Sequence, residues 1–229
     1  MDPQFCPADP DLVSFVRDSA IWVTRVSTRM ATELVPNPGS GISVGVPSYI
    51  IQDEFGRHSG YWWKEASDAD GNGGNNGGGG GETHGILYDE VDETAIDLTP
   101  VVNFTKPGSV DNFACPLVGS NNARVSLKLV EFPASIGTAA VPPPGPDSAD
   151  AADASGAGRP VVKGLRTAID EWFPWCEYVV RCGWLPDRAM CWVQLLDRDQ
   201  VGGGGGAVWG GVACGCGGVW RGGVVAWCG

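Results

Sequence analysis

Two histidines, a set of cysteines and one short serine pattern are the places where this chain could do chemistry. His58 follows Asp53 and Glu54, and His84 stands among Glu82, Asp89 and Glu90. Two imidazoles and a carboxylate form a donor set that suits iron or zinc. His58, His84 and Asp89 are therefore the candidate metal ligands. Their spacing lacks the His-x-His or His-x-Asp pairing that puts two ligands on one face of a strand. Both histidines also border glycine-containing segments, so the competing reading is a pair of ordinary loop histidines.

Gly41-Ile42-Ser43-Val44-Gly45 fits the pattern of a nucleophile elbow, in which glycines permit a sharp strand-to-helix turn with the serine at its tip. The surroundings argue against that role. Pro36 and Pro38 occupy the place of the buried strand, Pro47 interrupts the following segment, and both histidines come too early for the order serine, acid, histidine. Glycines flanking a strand are the simpler reading. Cys176, Cys182 and Cys191, with Cys214, Cys216 and Cys228 beyond them, are spaced irregularly, whereas zinc sites draw on close pairs. Among Trp172, Trp175, Trp184 and Trp192 such thiols serve as small buried hydrophobes. Glu82, Asp89, Glu90, Asp92, Glu93 and Asp97 form an acidic run without a base, which reads as a solvated turn with weak cation binding at most. No phosphate loop or dinucleotide fingerprint is found, so no cofactor is expected.

The formal charge of −12 is uneven: residues 1–136 hold 18 acids against 8 bases, and residues 137–229 hold 9 against 7. A surface of that sign repels phosphate backbones and anionic headgroups, which excludes nucleic acid as the expected partner and leaves another protein. The first residues show neither a basic nor an apolar leader region, so the expectation is an intracellular chain, cytoplasmic or nuclear, whose eight cysteines are unbridged.

The elements that would position these residues are mostly strands. Val125, Leu127 and Leu129 alternate with Ser126 and Lys128, the mark of a strand with one dry face over residues 124–132. Further strands are expected over residues 21–35, 42–51, 86–91, 95–104 and 113–118, with a short helix starting near residue 12. Together they predict a mainly β chain, an antiparallel β-sandwich or barrel over residues 12–136. Glycine and asparagine make residues 67–81 a mobile insertion. Residues 137–160, rich in Pro, Ala, Gly and Asp, read as a disordered linker. Residues 161–200 read as a Trp- and Cys-rich segment with two short helices, over 161–173 and 187–199. Residues 201–229 are a low-complexity glycine-rich tail, too diluted by glycine to span a membrane, with a composition that nucleotide bias would produce.

With no convincing nucleophile, ligand set or phosphate loop, the balance is against an enzyme. The sequence suggests a non-catalytic acidic β domain for binding or structure, through protein–protein contact. The alternatives are a metal-dependent enzyme built on His58, His84 and nearby carboxylates, and a reading frame with no selected function. Oligomeric state is not legible.

Overall fold

The structure is a computed structural model, and it describes residues 2–64, 83–138, 160–164, 173–184, 191–200 and 208–209. The expected insertion at 67–81, residues 139–159 of the expected linker and nearly all of the tail lie outside these residues.

The first sheet is a meander of four antiparallel strands, β1 (Gln4–Phe5), β2 (Leu12–Arg17), β3 (Ala20–Arg25) and β4 (Ala31–Val35). The short helix expected near residue 12 is instead β2. Leu12, Ser14 and Val16 point inward at period two, and Asp18 and Ser19, with φ of 52° and 58°, make the two-residue turn that matches strand twist. The single long strand expected over 21–35 is a hairpin. It breaks after Arg25, and Arg29, at φ 56°, turns the chain back so that Arg25 N–H donates to Met30 O.

The second sheet is built around β7 (Thr83–Asp92) and β10 (Arg124–Pro133), paired antiparallel from Thr83↔Pro133 to Asp92↔Arg124. On the outer edge of β10 lies β11 (Val161–Gly164). On the other edge of β7 lie two short strands, β5 (Ile42–Val44) and β6 (Tyr61–Trp63). The third sheet holds β12 (Tyr178–Trp184), β13 (Cys191–Leu196) and β14 (Val208–Trp209). Apart from these, β8 (Leu98–Val102) and β9 (Val110–Ala114) form a two-stranded hairpin.

The sheets stack in three layers, with the second in the middle. Its even-numbered residues Ile86, Tyr88, Val130 and Phe132 meet Leu12, Val16, Ile21, Val23 and Val35 of the first sheet. Its odd-numbered Leu87 and Leu127 meet Val179, Cys182, Cys191, Val193 and Leu195 of the third. Both faces of β7 are thus dry. The expected strand at 124–132 is present, but Val130 and Phe132 bury the face that alternation assigned to solvent. Because Phe173, β12 and β13 close one side of this middle layer, residues 12–136 do not hold the whole core.

The expected helices at 161–173 and 187–199 are not helices where they are described: β11 and β13 stand there. In β13, Cys191, Val193 and Leu195 are buried and alternate with less buried neighbours, and a ladder to β12 takes up the backbone donors and acceptors. Leu165, Ala168, Ile169, Trp172 and residues 187–190 lie outside the described residues. The mainly β expectation holds, with one α-helix among the described residues, α1 (Tyr49–Phe55), where a strand was expected to continue.

Candidate functional site

The chain leaves the second sheet after β5, makes an excursion that carries α1, and returns as β6. The strand pairing ends at Val44, ahead of Pro47, and Ser48 takes the extended conformation of a helix N-cap. Gly56 closes the helix in the left-handed region at φ 62°, its N–H bonded to Ile51 O, a conformation that glycine adopts without penalty. Ile51 is buried against Tyr178 and Val180, with Phe55 packed beside it one turn on. That inward face leaves Asp53 and Glu54 exposed as adjacent carboxylates. Gln200 donates its Nε2 to Glu54 Oε2 at 2.9 Å.

The base of the excursion is pinned on Asp89. Gly45 N–H donates to Asp89 O at 2.9 Å, and Asp89 N–H donates to Gly60 O at 2.8 Å. Gly45 and Gly60 cross so closely that a Cβ on Gly60 would lie 2.8 Å from the Gly45 carbonyl carbon. The glycines of the serine pattern therefore serve backbone packing. The Asp89 side chain, with no exposed surface, is held by Arg57, whose Nη1 lies 2.6 Å from Oδ2. Arg57 also donates to the carbonyls of Ser59 (3.1 Å), Val179 (3.0 Å) and Val180 (2.7 Å), and its guanidinium lies 5.3 Å from the Trp62 ring centre. One side chain thus ties α1, the middle sheet and the third sheet together. Burial pushes the Asp89 carboxyl up from its ordinary range, against the pull of Arg57. Glu93 accepts the Tyr49 N–H at the start of α1, and burial likewise raises its pKa. Next to this end of the helix a cleft of about 400 Å3 opens, lined by Asp92, Thr94, Asn122, Arg124 and Glu177 among others. Asn122 Nδ2 bridges Glu177 Oε1 and the Tyr178 hydroxyl at 2.9 and 2.8 Å.

The candidate metal ligands are not gathered. His84 and Asp89 are five residues apart on one strand, so they face opposite layers and are separated by about 16 Å of strand. His84 is buried beside Cys6, whose Sγ is 3.9 Å from Nδ1, and between the rings of Trp63 and Phe132. His58 is exposed next to Arg57. Among the described residues no group of three His, Cys, Asp or Glu side chains is placed to hold an ion. The acidic run is also divided: Asp89 is taken by Arg57, Glu90 by Lys128 at 2.6 Å, and Asp92 accepts from Thr94.

Ser43 lies in β5 opposite Val91, seven residues from His84 along β7 and so about 23 Å away. The Cys6–His84 pair is buried, and burial raises the thiol pKa, which disfavours a nucleophilic thiolate. Sequence reasoning missed Arg57. The available signal was its isolation: it is the one base between Arg29 and Lys64 in an acidic half, and such a cation must find a carboxylate.

Comparison with known proteins gives a consistent result. Residues 1–202 match the family described as the dipeptidyl peptidase IV (DPP IV) N-terminal region. The chain is 31% identical over 210 residues to dipeptidyl peptidase 8 of Homo sapiens and to that of Mus musculus, covering 88% of this chain and 21% of each relative. It therefore spans about a fifth of the length of these curated relatives. The crystal structure of Porphyromonas gingivalis dipeptidyl peptidase 4 superposes with a TM-score of 0.55 at 17% identity, over 86% of this chain and 22% of that one, a likeness of fold. These matches overturn the expectation of a non-catalytic acidic domain for protein binding, and with it the reading frame without selected function. No helix among the described residues is long and apolar enough to cross a membrane.

Proposed function

The chain belongs to the family of the dipeptidyl peptidase IV N-terminal region, and from that premise we propose that it works as part of a peptide-processing enzyme of the dipeptidyl peptidase type. The observation that carries this reading is the match over residues 1–202 together with 31% identity to dipeptidyl peptidase 8. Within it, we assign α1 a contact with the substrate. A peptide carries an ammonium group at one end, and a buried or half-enclosed ammonium needs a carboxylate to offset its desolvation. Asp53 and Glu54 are adjacent, exposed carboxylates on a helix whose orientation Arg57 fixes, in the acidic half of the chain. Rigid placement by the four hydrogen bonds of the Arg57 guanidinium is what a recognition group requires, because a mobile carboxylate would lose the entropy of its ordering on every binding event.

A reducing, intracellular setting fits this reading, since Cys6, Cys115, Cys176, Cys182 and Cys191 are all unbridged thiols. The test is hydrolysis of a dipeptidyl p-nitroanilide by the protein recovered from its native source with an antibody to this chain. Asp53→Asn with Glu54→Gln should raise KM about ten- to hundredfold, the loss of one or two charge-assisted hydrogen bonds, and leave kcat largely unchanged. Absence of any hydrolysis would refute the peptidase reading. Hydrolysis with an unchanged KM in the double variant would refute the role of α1.

A further inference from the structure

The turn that follows β13 holds a residue in a conformation that side chains resist. Gln200 N–H donates to Asp197 O at 3.2 Å, which closes the turn over Arg198 and Asp199, and Gln200 itself lies in the left-handed region at φ 56°. Glycine is the usual occupant of such a position, because a Cβ there crowds the backbone. Strained residues persist only where their surroundings over-determine them, and they gather at binding sites. Glycine here would relieve the strain and lose nothing but the side chain, so the side chain must account for the glutamine.

That side chain reaches across to α1. Its Nε2 donates to Glu54 Oε2 at 2.9 Å, a bond between residues 146 apart in the chain. The turn that carries it is itself braced. Arg198 Nη1 lies 3.3 Å from Glu177 Oε1, and Arg198 Nη2 donates to Ser120 O in the connection between β9 and β10. The third sheet thus holds one carboxylate of α1, while Arg57 holds the chain at the end of the helix.

The nature of the donor matters. Glu54 is exposed, and an unheld glutamate side chain samples several rotamers that a ligand would have to freeze. A neutral amide fixes the carboxylate at one oxygen, Oε2, keeps its full negative charge and leaves Oε1 to accept from a ligand. A cationic side chain at position 200 would fix it equally well but would cancel the charge that an ammonium group needs.

We propose that Gln200 is a positioning residue for substrate, whose amide aims the Glu54 carboxylate at the ammonium group of the peptide without neutralising it. This rests on the substrate contact assigned to α1, and it gives the third sheet a share in recognising the amino end of the peptide.

Steady-state hydrolysis of a dipeptidyl p-nitroanilide tests it, with each substitution introduced into the gene in the native source and the protein recovered by the same antibody. Gln200→Gly keeps the turn and relieves its strain, so its melting temperature should equal or exceed that of wild type. Its KM should rise about three- to tenfold with kcat within about twofold, less than the loss of the carboxylates themselves, because the amide orients a binding group and does not bind. Gln200→Lys should raise KM further than Gln200→Gly, since its ammonium pairs with Glu54. In a Glu54→Gln background Gln200→Gly should change KM by less than about twofold, because no charge is left to aim. An unchanged KM in Gln200→Gly, a fall of several degrees in its melting temperature, a KM in Gln200→Lys no higher than in Gln200→Gly, or an equal rise with and without the Glu54 carboxylate would each overturn the role of Gln200. The contact of α1 would survive those results if KM still responds to Asp53→Asn with Glu54→Gln. No hydrolysis, or a KM that ignores that double variant, would remove the reading beneath this inference and the inference with it.

Discussion

Arg57 decides more of this molecule than any residue its sequence advertises. Its guanidinium meets one buried carboxylate and three carbonyls, an arrangement that uses the planar fork fully. Arg57→Ala would leave the Asp89 charge in a dry site and strip donors from Ser59, Val179 and Val180. The expected loss is about 3–5 kcal/mol in urea denaturation, most of it the cost of an unpaired buried charge. Arg57→Lys should recover less than half of that, because an ammonium keeps the charge but cannot address four acceptors in the same plane. A loss below about 1 kcal/mol for Arg57→Ala would mean that water or a neighbouring group satisfies Asp89 and that the clamp holds nothing.

At the scale of the element, α1 shows both what pattern reading captures and where it stops. A strand with polar residues between its apolar ones was legible: Val125, Leu127 and Leu129 alternate with Ser126 and Lys128, and β10 is there. Tyr49, Ile50 and Ile51 look equally strand-like, but Pro47 before them and Gly56 after them frame a helix of 7 residues, about two turns. Gln52 N–H to Ser48 O, at 3.1 Å, is its first turn, a bond that no apolar spacing reveals. Where residues 161–164 and 191–196 are described, the helices assigned to 161–173 and 187–199 gave way to strands for a related reason, since short apolar runs fit both periods until a partner strand is present to take the backbone bonds. The site was partly legible. Asp53 and Glu54 stood out as carboxylates beside His58, while the grouping of His58 with His84 and Asp89 required a fold in which one strand turns two faces the same way.

The start of α1 also gives a pH prediction. Glu93 accepts the Tyr49 N–H from a half-buried position, and burial holds its folded pKa above the ordinary value. The folded state therefore binds this proton more tightly than the unfolded state does. Ionisation costs stability as pH rises from the ordinary glutamate range through the raised folded pKa. Glu93→Gln keeps an acceptor for Tyr49 and cannot ionise, so its stability relative to wild type should grow between about pH 4 and pH 7. Urea midpoints for the two proteins at both pH values measure this. A difference that shrinks with rising pH would show that the Tyr49 contact, which favours the carboxylate, outweighs burial.

At the scale of the whole molecule the three sheets follow one another along the chain and stack face to face, the way antiparallel blades succeed one another in a propeller. Each sheet buries its faces against its sequence neighbours, so no layer carries a complete core alone. A boundary placed at the end of β10 therefore cuts through packing. A fragment of residues 1–136 would expose Leu87 and Leu127, which are 1% and 0% exposed in the intact chain, along with Ile51 of α1. Each newly wetted leucine or isoleucine loses about 1.5–3 kcal/mol. Arg57 would lose Val179 O and Val180 O in the same step, and Asp89 would be left at the surface of a truncated layer. Those losses together are comparable to the whole stability of a domain of this size, which is about 5–15 kcal/mol. The fragment should accordingly show no cooperative thermal transition, whereas residues 1–200, which keep β12 and β13, should melt cooperatively within a few degrees of the full chain. Scanning calorimetry of the two fragments beside the intact protein distinguishes the cases. A cooperative melt of 1–136 at the midpoint of the full chain would mean that the first two sheets form an independent unit and that the third is an appendage held by Arg57.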